Sequence, residues 1–114
     1  MTGMEAEFSE LRAVWLFAMF DLPVDTKEKR KAYTKFRNNL LKEGFTMLQY
    51  SVYCRYCPDE DSSKAYRKHV RGALPTEGQV RLVSVTDRQF GRMEVFFGRN
   101  REPTEDPPAQ IMLF

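Results

Sequence analysis

The chain has 114 residues, 42% of them hydrophobic, 30% charged and 13% aromatic, with a formal net charge of +2. That length predicts one domain with a real core rather than two, and the aromatic and aliphatic content excludes a wholly disordered chain. No apolar run approaches the ~20 residues of a membrane span; the acidic start MTGMEAEFSELR is unlike a secretion signal and two cysteines make no disulfide framework, so a reducing cytoplasm is the expected setting.

Residues 1–11 read as an acidic extension. Residues 13–20, AVWLFAMF, are apolar without alternation, as expected of a central strand buried on both faces. Asp21-Leu22-Pro23 ends that run, and Asp25 with Glu28 predicts a capped helix start. Tyr33, Phe36 and Leu40 recur at spacings of three and four and form its apolar stripe; Gly44 fits the stop. Residues 45–57, FTMLQYSVYCRYC, read as one bent strand or two short ones. The acids at 59–61 with Ser62 open a second helix, with Tyr66, Val70 and Ala73 inward and Pro75 closing it. Residues 79–86, QVRLVSVT, alternate as a half-buried strand, with Val80, Leu82 and Ser84 on one face. A short turn or helix over Asp87–Gly91 precedes a further expected strand, MEVFFG, at 93–98. The Pro-rich stretch 99–109 reads as a linker, and Gln110–Phe114 as a terminal strand.

The order predicts an α+β, ferredoxin-like split β-α-β sandwich over 12–98, an antiparallel sheet with two helices on one face. A single copy would leave the other sheet face apolar and its edges open, so a symmetric homodimer is expected.

The charge is segregated. Seven Lys and Arg lie between Thr26 and Lys42 against the single acid Glu28, and Lys64, Arg67, Lys68 and Arg71 form a second basic stretch without acids. Local fields of this kind attract phosphates whatever the net charge, although two solvated helix faces would look the same. Asp21 follows the first strand directly and has two readings: it caps the turn into Leu22-Pro23, or two copies bring paired carboxylates together near a two-fold axis. Mg²⁺ takes one or two carboxylates and fills its shell with water or phosphate oxygens, a site that serves phosphodiester hydrolysis. Cys54 and Cys57 resemble a metal or redox pair, but residues three apart on a strand point to opposite faces. His69 is read as a surface or boundary residue, and Tyr50 and Tyr53 as candidate exposed aromatics.

The ordered set Phe20-Asp21-Leu22-Pro23, Arg30-Lys31-Ala32-Tyr33, Phe36-Arg37, Gly44-Phe45, Gln49, Ser51-Val52-Tyr53 and Val83–Phe90 resembles a known family. It is similar to the small CRISPR-associated adaptation endonuclease, the second of the two universal spacer-acquisition proteins, and closer to its type II branch. The resemblance implies a homodimer with facing first-strand aspartates, matching Asp21 as catalytic and metal-binding residue. It also implies Mg²⁺ or Mn²⁺ as cofactor, and endonuclease activity on single-stranded RNA or double-stranded DNA. It further implies a scaffold that holds duplex DNA and bridges dimers of the CRISPR-associated integrase, with Arg30, Lys31 and Arg37 carried over as backbone contacts. A competing reading is an RNA-binding module of the RRM type, which shares the topology; Lys42-Glu43-Gly44-Phe45 echoes the start of its aromatic motif, while Thr46, Met47 and Leu48 do not continue it.

Overall fold

The computed structural model describes residues 12–98. The chain runs through β1 (Val14–Asp21), α1 (Lys27–Lys42), β2 (Thr46–Gln49), β3 (Val52–Cys57), α2 (Glu60–Gly72), β4 (Gln79–Thr86) and a short α3 (Asp87–Gly91). The strands form one sheet in the order β2-β3-β1-β4 with every neighbouring pair antiparallel. Each long helix joins two strands separated by a third, which is the ferredoxin-like arrangement expected from the sequence. The extension 1–11, the linker 99–109 and the terminal strand at 110–114 lie outside the described residues.

The double-sided apolarity of β1 places it at the centre, paired with β3 and β4. Val14, Leu16, Ala18 and Phe20 pack beneath Phe36 and Leu40 of α1 and Val70 of α2. Phe20 meets Phe36 edge-on at 5.2 Å between ring centroids and stacks on Tyr53 at 5.6 Å. Truncating a side chain as buried as Leu16 to alanine costs about 2–5 kcal/mol in such cores. The alternate positions Trp15 and Phe17 face the other way, against Leu48, Cys54 and Phe90.

The cap of α1 differs from expectation. Thr26, in extended conformation, accepts from Lys29 N at 3.1 Å, while Asp25 pairs with Lys29 Nζ at 3.3 Å. The helix ends as expected at Gly44, whose φ of +90° suits a residue without Cβ. Gly44 N and Phe45 N donate to the carbonyls of Leu41 and Leu40, a Schellman closure. Residues 45–57 resolve into two strands around Tyr50 and Ser51, with Ser51 at φ +58°. Asp59 caps α2 by accepting from Ser62 N at 2.7 Å, but the helix stops at Gly72, before Pro75. Its most buried residue is Ser63, whose Oγ lies 3.3 Å from Ser84 Oγ of β4; that oxygen also accepts from Arg67 at 2.6 Å.

One expectation is refined and another corrected. The sheet face opposite α1 and α2 is apolar as expected, and α3 covers one end of it. Phe90 stacks on Trp15 at 4.0 Å, and the Trp15 indole donates to Asp87 at 2.8 Å. Residues 93–98 form no strand. An apolar pattern alone does not make a strand. Phe96 is left 81% exposed.

A candidate carboxylate site and a basic helix surface

Asp21 is the last residue of β1, opposite Gln79 of β4. Strand alternation puts it on the face of Trp15 and Phe17, away from α1 and α2. It is exposed, and its carboxylate makes no hydrogen bond or ion pair with any described residue. It therefore does not cap the turn into Leu22-Pro23, the first of the two readings of this residue. The backbone beneath it is fixed: Phe20 N donates to Ser51 O at 3.0 Å, and Leu22 is buried.

A residue absent from the sequence reading helps hold this end of β1. Gly78, at φ +94°, packs so closely that a Cβ on it would lie 2.7 Å from Asp21 O and 2.7 Å from Leu22 Cδ2. The visible signal was the turn-forming Glu77-Gly78 ahead of an alternating strand. Glu77 reaches Lys29 of α1 at 3.8 Å, so Lys29, also paired with Asp25, ties this loop to the first helix. Leu22, Pro23, Tyr33 and Pro75 line a cleft of about 120 Å³ beside the tie.

A carboxylate oxygen is the donor that Mg²⁺ and Mn²⁺ prefer. Among the described residues, no three His, Cys, Asp or Glu side chains gather to hold a metal. The donor chemistry of Asp21 fits a hard cation.

The basic candidates lie on the other side of the sheet. Arg30 and Lys31 are exposed on α1, where Arg30 donates to Val24 O at 3.0 Å. They line a shallow depression of about 480 Å³ together with Lys27 and Lys35. Arg37 is half-buried and donates through Nε to the Tyr53 hydroxyl at 2.7 Å, leaving its two terminal nitrogens for an outside anion. The fold thus brings Arg30 and Lys31 together, ties Arg37 into the core by one bond, and holds all three apart from the face that carries Asp21.

The remaining candidates resolve as packing. Cys54 and Cys57 are free and buried in different clusters, on opposite faces as the strand period predicts. Burial pushes the Cys54 thiol up to about 11. His69 is exposed on α2, with Nδ1 2.6 Å from Glu43 Oε1. Tyr50 is 75% exposed, as expected, but Tyr53 is 1% exposed, because its ring completes the core under α1. Phe45 is likewise a core residue beside a helix end, which removes the aromatic strand motif that the RRM reading needs. Arg55, also missed, spreads its guanidinium over the Tyr66 ring at 3.9 Å and donates to the Tyr66 hydroxyl. Among the described residues, no helix is long and apolar enough to cross a membrane.

Comparison with known proteins bears on this arrangement directly. Residues 14–93 match the family model described as CRISPR associated protein Cas2. A protein of Parvibaculum lavamentivorans named CRISPR-associated endoribonuclease Cas2 is 48% identical over 101 residues, which cover 89% of this chain and all of that relative. Proteins of the same name from Paracidovorax avenae and Flavobacterium psychrophilum are 46% and 38% identical, covering 90% and 93% of this chain and 95% and 92% of the relatives. The matched span runs from the start of β1 past α3 and includes Asp21, Arg30, Lys31 and Arg37, and the chain belongs to the Cas2 family of CRISPR-associated proteins.

Proposed function

We propose that the chain acts as a homodimer in CRISPR adaptation, holding duplex DNA and bridging integrase dimers, with a metal-dependent phosphodiesterase centre built from two Asp21 side chains. The observation that carries the centre is the exposed, unpartnered Asp21 carboxylate at the end of the central strand. Its relatives are named endoribonucleases, and RNA or duplex DNA is the substrate class on this reading. Support for the dimer comes from Met93, Val95 and Phe96, which are apolar and exposed, and from β4, which lies at an edge of the sheet among the described residues. A copy that covers these surfaces buries Phe96 and removes an open edge.

Two Asp21 carboxylates brought close repel each other. Bound Mg²⁺ or Mn²⁺ would supply charge neutralisation there and Lewis-acid polarisation of a phosphoryl oxygen. Asp21 holds it through carboxylate oxygens, while Phe20, Leu22 and Gly78 fix the strand end. Arg30, Lys31 and Arg37 grip backbone phosphates from the helix side, and this holding role is the physiological one on our reading.

The test is hydrolysis of single-stranded RNA and duplex DNA with Mg²⁺, comparing wild type with Asp21→Ala. Loss of cleavage supports the centre, and cleavage unchanged by the substitution rejects it. In a spacer-acquisition assay the holding role predicts that Asp21→Ala survives, whereas the Arg30, Lys31 and Arg37 charge-neutral variant fails. The reverse pattern rejects that role.

A further inference from the structure

The second basic stretch of the sequence has no part in the reading above. On α2, Lys64, Lys68 and Arg71 follow one another at spacings of four and three and make a stripe along the outer side of the helix. All three are exposed, and none has a carboxylate within ion-pair distance among the described residues. Packing does not require them. The inward side of α2 is taken by Ser63 and Val70, and Arg67 is bound to Ser84.

A matching stripe lies on α1, where Lys27, Lys31 and Lys35 recur every four residues, exposed and equally unpaired. Both helices cover the same face of the sheet. A groove of about 730 Å³ runs between them, with Lys35 on one wall and Lys68 on the other. The acids of this layer are few: Glu28 in the first turn of α1, Glu60 and Asp61 in the first turn of α2, and Glu43 paired with His69. Six cations of one sign therefore face solvent across two neighbouring helices, and their fields add.

We propose that this two-helix surface is a continuous phosphate-backbone grip for duplex nucleic acid, with α2 contributing Lys64, Lys68 and Arg71. It rests on the nucleic-acid reading above and extends it to a second element. Four residues of helix rise about 6 Å, so each stripe sets point charges at short regular intervals. Neither stripe contains an aromatic or aliphatic anchor of the kind that dominates protein–protein contacts, which favours a nucleic-acid backbone over an acidic protein segment. Since α1 and α2 lie opposite the Asp21 face, the grip holds a duplex without occupying that carboxylate.

The experiment measures binding of a labelled DNA duplex by fluorescence anisotropy between about 50 and 200 mM salt. Wild type is compared with the α1 variant Lys27→Gln/Lys31→Gln/Lys35→Gln and the α2 variant Lys64→Gln/Lys68→Gln/Arg71→Gln. Each lost phosphate contact lowers the slope of log K against log salt by about 0.9, so the α2 variant should lose about 1–3 from its slope with circular dichroism unchanged. A slope equal to wild type in the α2 variant overturns the proposal. If that variant instead loses binding to a polyglutamate peptide, the surface belongs to an acidic protein. Failure of wild type and the α1 variant alike to show salt-dependent binding overturns the broader nucleic-acid reading, which separates the two outcomes.

Discussion

Replacing Gly78 by alanine is expected to destabilise the fold far more than its position in a surface loop suggests. The residue sits at φ +94°, where an L side chain meets its own backbone, costing about 1–2 kcal/mol. The new methyl would also lie 2.7 Å from Asp21 O and 3.1 Å from Leu22 Cα, well inside the roughly 3.5–4.0 Å at which carbon contacts are comfortable. Both atoms belong to the backbone that terminates β1, so neither can swing aside, and overpacking adds about 1–3 kcal/mol. The sum is about 2–5 kcal/mol, which for a domain of this size lowers Tm by on the order of 10 °C or more. Gly72 provides the internal control. It closes α2 with no heavy atom within 4 Å of its would-be Cβ, and alanine there should gain a few tenths to about 1 kcal/mol. Urea and thermal unfolding at matched protein concentration measure both. A Gly78→Ala protein within about 0.5 kcal/mol of wild type, or a Gly72→Ala protein equally damaged, refutes the close-approach argument.

Other expectations follow from burial and exposure. The Cys54 thiol is held protonated by burial, pushed up from 9.0 to about 11. The unfolded chain therefore loses this proton first, and stability from this group falls as pH rises from about 9 to about 11. Urea midpoints across that range should decline less steeply in Cys54→Ala than in wild type; parallel declines contradict the assignment. Phe96 is the most exposed large apolar side chain described, and Phe96→Ser should weaken self-association at least about tenfold in sedimentation velocity. An unaltered distribution removes residues 93–98 from the dimer contact.

The fold was legible in the sequence wherever a single element decides its own burial. The seven consecutive apolar residues of β1 ahead of Asp21 require a central position, and the stripe Tyr33, Phe36, Leu40 orients α1. The divergence of Cys54 and Cys57 follows from the strand period alone. Legibility ended where a residue's state depends on a distant partner. Tyr53 reads as a candidate exposed aromatic, yet the Phe20 ring stacked on it and the Arg37 guanidinium bound to its hydroxyl make it core. Ser63 and Ser84 lie 21 positions apart, and their contact with Arg67 has no local signature. Asp25 and Thr26 are both competent caps; Thr26 takes the cap, while Asp25 pairs with the Lys29 side chain. At the site, the position of Asp21 at a strand end was readable, whereas its lack of partners and the support from Gly78 depend on how β4 approaches β1.

The placement of the two thiols has a consequence for how the molecule opens. Cys54 and Cys57 share one short strand but are shielded by different layers, one by Phe17, Leu48 and Phe90, the other by the long helices. Each becomes reachable by an alkylating reagent only when its own side of the sheet loosens. The chain thus carries a native pair of clocks three residues apart, one for each side of the sheet. The order in which they are trapped tells which layer breathes first.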